Sequence, residues 1–368
     1  MNTIRRLIYR EVVASVGFVA MGFLALFFFF DFVDELPNVG KGAVGSAYKM
    51  SQALGYVTLM IPNHLYELLP IAVLIGTIFV MARLAQSSEY TILRTSGLGP
   101  WRALRTLLGL GLIFTLLTFA TGDYLAPVSD RTAQLLKARY EGRISIGQTG
   151  AWLKEKQPSR TYNVNVHALS PESEMRGVRI FEADSRGFLV AVTQAARGKF
   201  ADDGSWTLLD VERSEFTTQG DLAKVERTRL PVYRWRTGIS PEMVSVALLQ
   251  PDRMSTIDLF QYIQHLDANG QTAQRYEIEF WRKVFYPLSC MVMVVLALPF
   301  AYLHFRTGGI TNYVFGGVLI GISFFLLNNV FGYIGNLQNW WPWLTAASPG
   351  LIYSMFSLAA FGWLVLRR

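Results

Sequence analysis

The sequence has one cysteine, Cys290, and four histidines in 368 residues. A lone cysteine excludes an internal disulfide framework, so any exported part must fold on its own apolar core. His64, His167, His265 and His304 are scattered without metal-ligand spacing, which argues against a metal centre and leaves them as surface or interfacial side chains. Charge is scarce as well, at 17% of residues, against about 25% in soluble domains. A Walker A loop is missing: Gly40-Lys41-Gly42 and Gly45-Ser46 lack the Gly-x-x-x-x-Gly-Lys-Ser/Thr order that wraps phosphates. ATP hydrolysis by that route is excluded. An intramembrane protease would need nucleophile and base at one depth, and nothing in the spacing pairs Ser323 with a histidine. The reading is a non-catalytic chain without a cofactor.

What the sequence has is apolar: 51% hydrophobic and 14% aromatic residues. Its charge is unevenly placed, because 22 Lys or Arg and 20 Asp or Glu fall between residues 128 and 283, leaving 19 charges for the other 212 residues. Such a partition fits a membrane protein with one water-soluble insert. A bilayer core needs about 20 mostly apolar helical residues. Six stretches qualify: Val12 to Val33, Tyr56 to Ala82, Ala103 to Leu125, Val284 to Leu303, Ile310 to Ile334 and Leu344 to Leu366. The first does not read as a cleaved signal peptide, being too long and followed by Asp31, Asp34 and Glu35.

Arg5, Arg6, Arg10, Arg83, Arg94, Arg102, Arg105, Arg306, Arg367 and Arg368 gather on one side of these spans, opposed only by Glu11 and Glu89. By the inside-positive bias, both termini are cytoplasmic and the insert is exported. The net charge of +7 is mostly that bias, so it does not argue for nucleic-acid binding.

Within the insert, residues 145 to 236 alternate with period two, as in Tyr162 to Ala168 and Val178 to Ala183. Further strands are expected at Gly187 to Gln194, Gly198 to Phe200, Trp206 to Glu212, Glu215 to Thr218 and Ala223 to Leu230, with turns at Ser185-Arg186-Gly187 and Asp202-Asp203-Gly204-Ser205. Seven or more short strands suggest a sandwich or jelly roll. Helical connectors are expected at Asp130 to Tyr140 and Ser255 to Ala268, either to join the sheet to the spans or to touch a ligand. Glu67, with His64 one turn before it, reads either as a functional intramembrane carboxylate or as a group near the outer interface paired with another helix.

The inner loop between spans two and three is the most informative short segment. Ser87 or Ser88 is placed to cap a short helix that Gly97 stops, presenting Tyr90, Leu93 and Arg94 at helical spacing with Glu89 in its first turn. A permease would insert such a helix into a groove on a cytoplasmic ATPase. The same pattern fits a helix lying on lipid.

Four further segments bear a family resemblance: Phe32-Val33-Asp34-Glu35-Leu36, Leu84 to Glu89 with Ser96-Gly97, Leu125-Ala126-Pro127, and Phe280 to Ser289. Over essentially its full length the chain resembles the LptF/LptG (YjgP/YjgQ) permeases of the lipopolysaccharide export ABC transporter, the LptG branch more than the LptF branch. The resemblance implies an α-helical membrane protein with six transmembrane helices and an inserted all-β periplasmic domain, a β-jellyroll, divided as 1–127, 128–272 and 273–368. It implies an LptF-like permease as heterodimer partner, two LptB-like ATPases on the cytoplasmic side, and LptC with a periplasmic bridge receiving lipopolysaccharide. Glu89 matches the coupling-helix acid. Lys41, Arg131, Lys137 and Arg139 are the basic residues available for substrate phosphates, while Asp31 and Pro37-Asn38 stand where basic residues are expected in some members.

Physically, lipid A calls for apolar walls with a few cations at headgroup height. Gly308-Gly309, Gly316, Gly317, Gly321, Gly332 and Gly335 of span five suit a movable seam against span one of the partner, because small residues permit close helix contact. In the competing view the glycines only fit helices of one subunit together. A reading from another class also stands: a membrane-anchored periplasmic binding or scaffold protein whose six spans transport nothing.

Overall fold

Apolar helices must be buried or face lipid, and among the described residues six are long and apolar enough to cross a bilayer: Ile4–Asn38, Met50–Gln86, Pro100–Lys137, Gln274–Tyr302, Ile310–Leu337 and Pro342–Trp363. They coincide with the six stretches expected from the sequence. The computed structural model describes residues 2–40, 48–95, 97, 99–141, 150–170, 173–201, 203–219, 222–247, 250–302 and 310–366. Two units form, one from Met1–Asp34, Val57–Ser129 and Glu277–Arg368, the other from Glu35–Tyr56 and Asp130–Tyr276.

In the first unit, α1 (Asn2–Glu35) buries one stripe, Ile8, Val12, Val16 and Ala20, and exposes Phe18, Met21 and Phe29 on the other side. The stripe meets α2 (Met50–Gln86), where a Cβ on Gly76 would lie 2.8 Å from the Val16 Cα, so the two backbones nearly touch. α2 is the central helix, with Ala72, Val73, Leu74 and Ile78 fully buried. The short α3 (Glu89–Thr95) follows it. α4 (Pro100–Ala120) runs through one π-helical turn, Thr121–Leu125, into α5 (Ala126–Glu141).

A π turn leaves carbonyls out of the i→i−4 ladder, and here Lys283 supplies the missing donor: its Nζ is 2.9 Å from the Gly122 oxygen and 5.5 Å from the Tyr66 ring centre. Lys283 lies on α8 (Gln274–Phe285), which leads through a 3₁₀ turn into α9 (Ser289–Ala297). α9 is buried against α4, with Thr118 Oγ1 3.2 Å from Cys290 Sγ. The helices α10 (Ile310–Leu337) and α11 (Pro342–Ala360) complete the unit.

The second unit is a sheet inserted between helices. Six strands, β1 (Ala151–Lys156), β2 (Arg160–Leu169), β3 (Met175–Asp184), β4 (Leu189–Phe200), β5 (Ser205–Gln219) and β6 (Leu222–Arg236), pair antiparallel in sequence order. The described strands are fewer and longer than the period-two pattern suggests. The expected strands Gly187 to Gln194 and Gly198 to Phe200 fuse into β4, which starts only at Leu189 because Gly187 lies in the turn; Gly198 is a packing site, not a break, since a Cβ there would sit 2.9 Å from Leu208 Cδ2. Trp206 to Glu212 and Glu215 to Thr218 likewise fuse into β5.

Four of the five ladders, from β2–β3 to β5–β6, skip a pair along one line across the sheet. His167, Gly177, Ala196, Asp210 and Pro231 face one another along it without pairing. Gly177 and Asp210 have left-handed φ of 61° and 53°, and Gly150, which abuts His167, has 69°. Alternation slips by one residue at this line: Met175 is buried before Gly177 and Val178 and Ile180 after it, Trp206 and Leu208 before Asp210 and Val211 after it. A one-residue slip would turn the apolar face outward. The left-handed residue absorbs it, so the same face stays inside on both sides of the crease.

The turns carry their own signals. Asp184 Oδ1 accepts from the amides of Arg186 and Phe188, with Gly187 at φ 87°, and Gly204 has φ 77° before Ser205. Around the sheet lie α6 (Pro241–Ala247) and α7 (Thr256–Ala268). Ser255 caps α7 in a reciprocal box with Asp258, and Leu259, Tyr262 and Leu266 form its buried face.

Candidate functional site

The inner-loop helix is tied down at both ends by left-handed residues, Ser88 (φ 59°) and Gly97 (φ 99°). Its start is the Ser88 carbonyl, which accepts from the Thr91 and Ile92 amides at 3.1 and 3.3 Å. The Ser87 hydroxyl turns back instead to Leu84 O. Gly97 N closes the helix on Arg94 O at 3.1 Å, and Arg102 holds the Gly97 oxygen at 3.0 Å.

α3 divides its residues between two faces. Tyr90 is buried, meeting the Tyr302 ring edge-on at 5.1 Å, and Leu93 packs against the same core. The Arg94 guanidinium lies 5.6 Å from the Tyr302 ring centre. Burial pushes the Tyr90 phenol above its ordinary range, and the neighbouring Tyr302 adds to the shift. Of the residues read as a presented set, Tyr90 and Leu93 thus turn toward the chain's own core, while Arg94 stays exposed with its guanidinium against Tyr302. Glu89 is exposed, with Thr91, Thr95 and Ile92, the last 63% exposed. Ile92 and Tyr302 were missed by sequence reasoning: an isoleucine among polar residues reads as filler, and Tyr302 is 212 residues beyond Tyr90 in the chain.

The second cluster lies on α5 and what it touches in the second unit. Lys137 Nζ is 3.0 Å from Glu35 Oε2 and 4.8 Å from the Tyr56 ring centre. Glu35 is nearly fully buried, and its other oxygen accepts from Asn38 Nδ2 at 3.3 Å. Arg131 pairs with Asp258 at 3.1 Å. Arg139 is in the last turn of α5, with its side chain outside the described residues, and Lys41 also lies outside them. Two of the four expected cations are therefore placed, each sharing its charge with a carboxylate that an incoming anion would have to replace. Glu35, Tyr56 and Asp258 could not be found from sequence, because their pairing depends on how distant segments meet.

On α10 the glycines do different things. A Cβ on Gly317 would be 2.7 Å from Ile78 Cδ1 and one on Gly321 2.7 Å from Ile71 Cγ2, both on α2 of the same chain. Among the described residues, none comes within 4 Å of the Cβ position of Gly316 apart from its own helix. In spans one and two, His64 Nε2 lies 2.6 Å from Asp31 Oδ2, and Asn63 Nδ2 3.3 Å from Glu67 Oε1. Among the described residues no cluster of three metal-ligating side chains occurs.

The family described as "Lipopolysaccharide export system permease LptF/LptG" matches residues 6–367. The chain is similar to the lipopolysaccharide export system permease protein LptG of Escherichia coli (strain K12), at 28% identity over 92% of this chain and 90% of that protein. It is also similar to the protein of the same name from Haemophilus influenzae (strain ATCC 51907 / DSM 11121 / KW20 / Rd), at 25% identity over 100% of this chain and 99% of that one.

Proposed function

The chain belongs to the LptF/LptG family of lipopolysaccharide export system permeases, and on that premise we propose that it extracts lipopolysaccharide from the outer leaflet of the inner membrane, driven by a partner ATPase. It is a multi-pass inner-membrane protein of the export system. Both termini are cytoplasmic in this reading. The parts are 1–127 and 273–368 in the membrane and 128–272 outside it, the latter a jellyroll that hands lipid to LptC and the bridge. An LptF-like permease completes the heterodimer, and LptB-like ATPases dock from the cytoplasm. Arg131 and Lys137, with Lys41 and Arg139, meet the phosphates.

The single observation that supports this best is the two-faced α3: one side fixed in the core through Tyr90 and Leu93, the other offering an acid and an exposed isoleucine. Such a face suits a groove with an apolar floor and a basic rim. Replacing Glu89 by Lys turns attraction into repulsion and leaves the partner's cation unpaired; Ile92→Asp puts a charge on the apolar contact. Both variants are expected to lose the ATPase from the mildly solubilised complex while the permease pair stays intact. Retention of the ATPase by both would refute the docking face, and its absence from the unaltered complex would favour a scaffold.

A further inference from the structure

We propose that Tyr302 is a positioning residue through which α3 moves the fourth membrane span, an inference that rests on the docking of an ATPase on α3. Tyr302 ends that span in a 3₁₀ turn, Leu298–Tyr302, and is itself buried. Its ring is held by two residues of α3 one helical turn apart: Tyr90 meets it edge-on, at 5.1 Å and 71°, and the Arg94 guanidinium stands 5.6 Å from its centre. Edge-to-face rings and a cation over a ring are directional contacts. Displacing α3 therefore drags the ring or breaks both.

α3 is built to move as a body. It has seven residues, and left-handed residues stand at both ends, Ser88 at φ 59° and Gly97 at φ 99°, positions suited to absorb a change of direction. Beyond Tyr302 the span is stiffly packed. Met291 Cα would be 3.0 Å from a Cβ on Gly111, and Cys290, Met293 and Val294 are fully buried. At its other end the span grips two neighbours: Tyr286 donates to the Glu67 carbonyl of span two, and Lys283 to the Gly122 carbonyl in the π turn of span three. A push on the outer face of α3 is thus delivered, through one ring, to the span that ties spans two and three together.

The test uses the whole complex in proteoliposomes, with ATP hydrolysis and lipopolysaccharide delivered to the bridge measured together. Tyr302→Leu, which removes the ring, is expected to keep the ATPase bound and hydrolysing while lipid delivered per ATP falls about tenfold, inside the usual range of coupling free energies. Tyr302→Phe keeps the ring and restores the ratio. Arg94→Gln, at an exposed side chain that threatens folding less, lowers the ratio about threefold and carries the test if the leucine variant fails to assemble.

An unchanged ratio in Tyr302→Leu, or in Arg94→Gln should it stand alone, overturns the proposal. Loss of the ATPase from Tyr302→Leu overturns it too, since Tyr302 would then only shape the docking face. If the ATPase is absent from the unaltered complex or stays bound to Glu89→Lys and Ile92→Asp, the docking reading itself falls and takes the proposal with it. Docking that holds while the ratio stays unchanged removes the Tyr302 proposal alone.

Discussion

If Lys137 meets a lipid phosphate as proposed, it does so as a cation that already has partners. Its ammonium is shared between Glu35 and the face of Tyr56, so a phosphate would compete with a nearly buried carboxylate. Removing that competitor should strengthen lipid retention: Glu35→Gln is expected to raise the lipopolysaccharide that co-purifies with the complex, and Lys137→Gln to lower it. Both differences should shrink between about 0.05 and about 0.5 M salt, because partly exposed charges are screened. Mass spectrometry of lipid extracted from the purified complex reads this directly, and parallel losses in the two variants would make the pair merely structural. At His265 the direction of a pH effect follows from burial, which pushes its imidazole below the ordinary range against a smaller opposing pull from Glu155. A base whose folded-state pKa is depressed binds its proton more readily unfolded, so its contribution is intact above the unfolded pKa and lost as pH falls through it toward the folded one. The protection of α7 against hydrogen exchange, corrected for the slower intrinsic exchange at low pH, should therefore fall from pH 7.5 to pH 5.5, roughly the window around an ordinary histidine pKa, and the fall should be smaller in His265→Gln.

At the scale of elements, α10 separates two jobs that its sequence runs together. Gly317 is filled by Ile78 and Gly321 by Ile71 of its own chain, while Gly316 meets none of the other described residues within 4 Å. Gly317→Leu forces bulk against α2, an overpacking that costs about 1 to 3 kcal/mol, and is expected to lower the thermal stability of the chain by itself. Gly316→Leu should leave that stability unchanged and, if this face meets the partner's first span, alter crosslinking between cysteines placed on the two; crosslinking that matches the unaltered complex removes Gly316 from the seam. The hydrophobic runs made the helices legible, because a bilayer demands their length whatever their neighbours. The direction in which a given glycine or tyrosine points was not legible: Tyr90 and Arg94 have polar ends that read as outward, yet both face Tyr302. In the sheet, period two marked the strands but not the crease, since a slip of one residue leaves local composition unchanged. Only Gly177 and Pro231 hinted at it, and Asp210 gave no sign.

Taken as a whole, the molecule closes its membrane core across a long stretch of chain. α4 and α9 meet through Thr118 and Cys290, 172 residues apart, and through Gly111 and Met291, while the sheet between them is assembled from strands paired with their immediate successors. That arrangement sets an order of events during biosynthesis. At about 5 to 20 residues per second, roughly 10 to 30 s pass between synthesis of Thr118 and of Cys290. During that interval the face of α4 that will hold α9, with Gly111 and Thr118 on it, waits in the membrane without its partner. The sheet has by then all its strands and can fold on its local pairings. The face of a helix made before the sheet is thus closed only by one made after it.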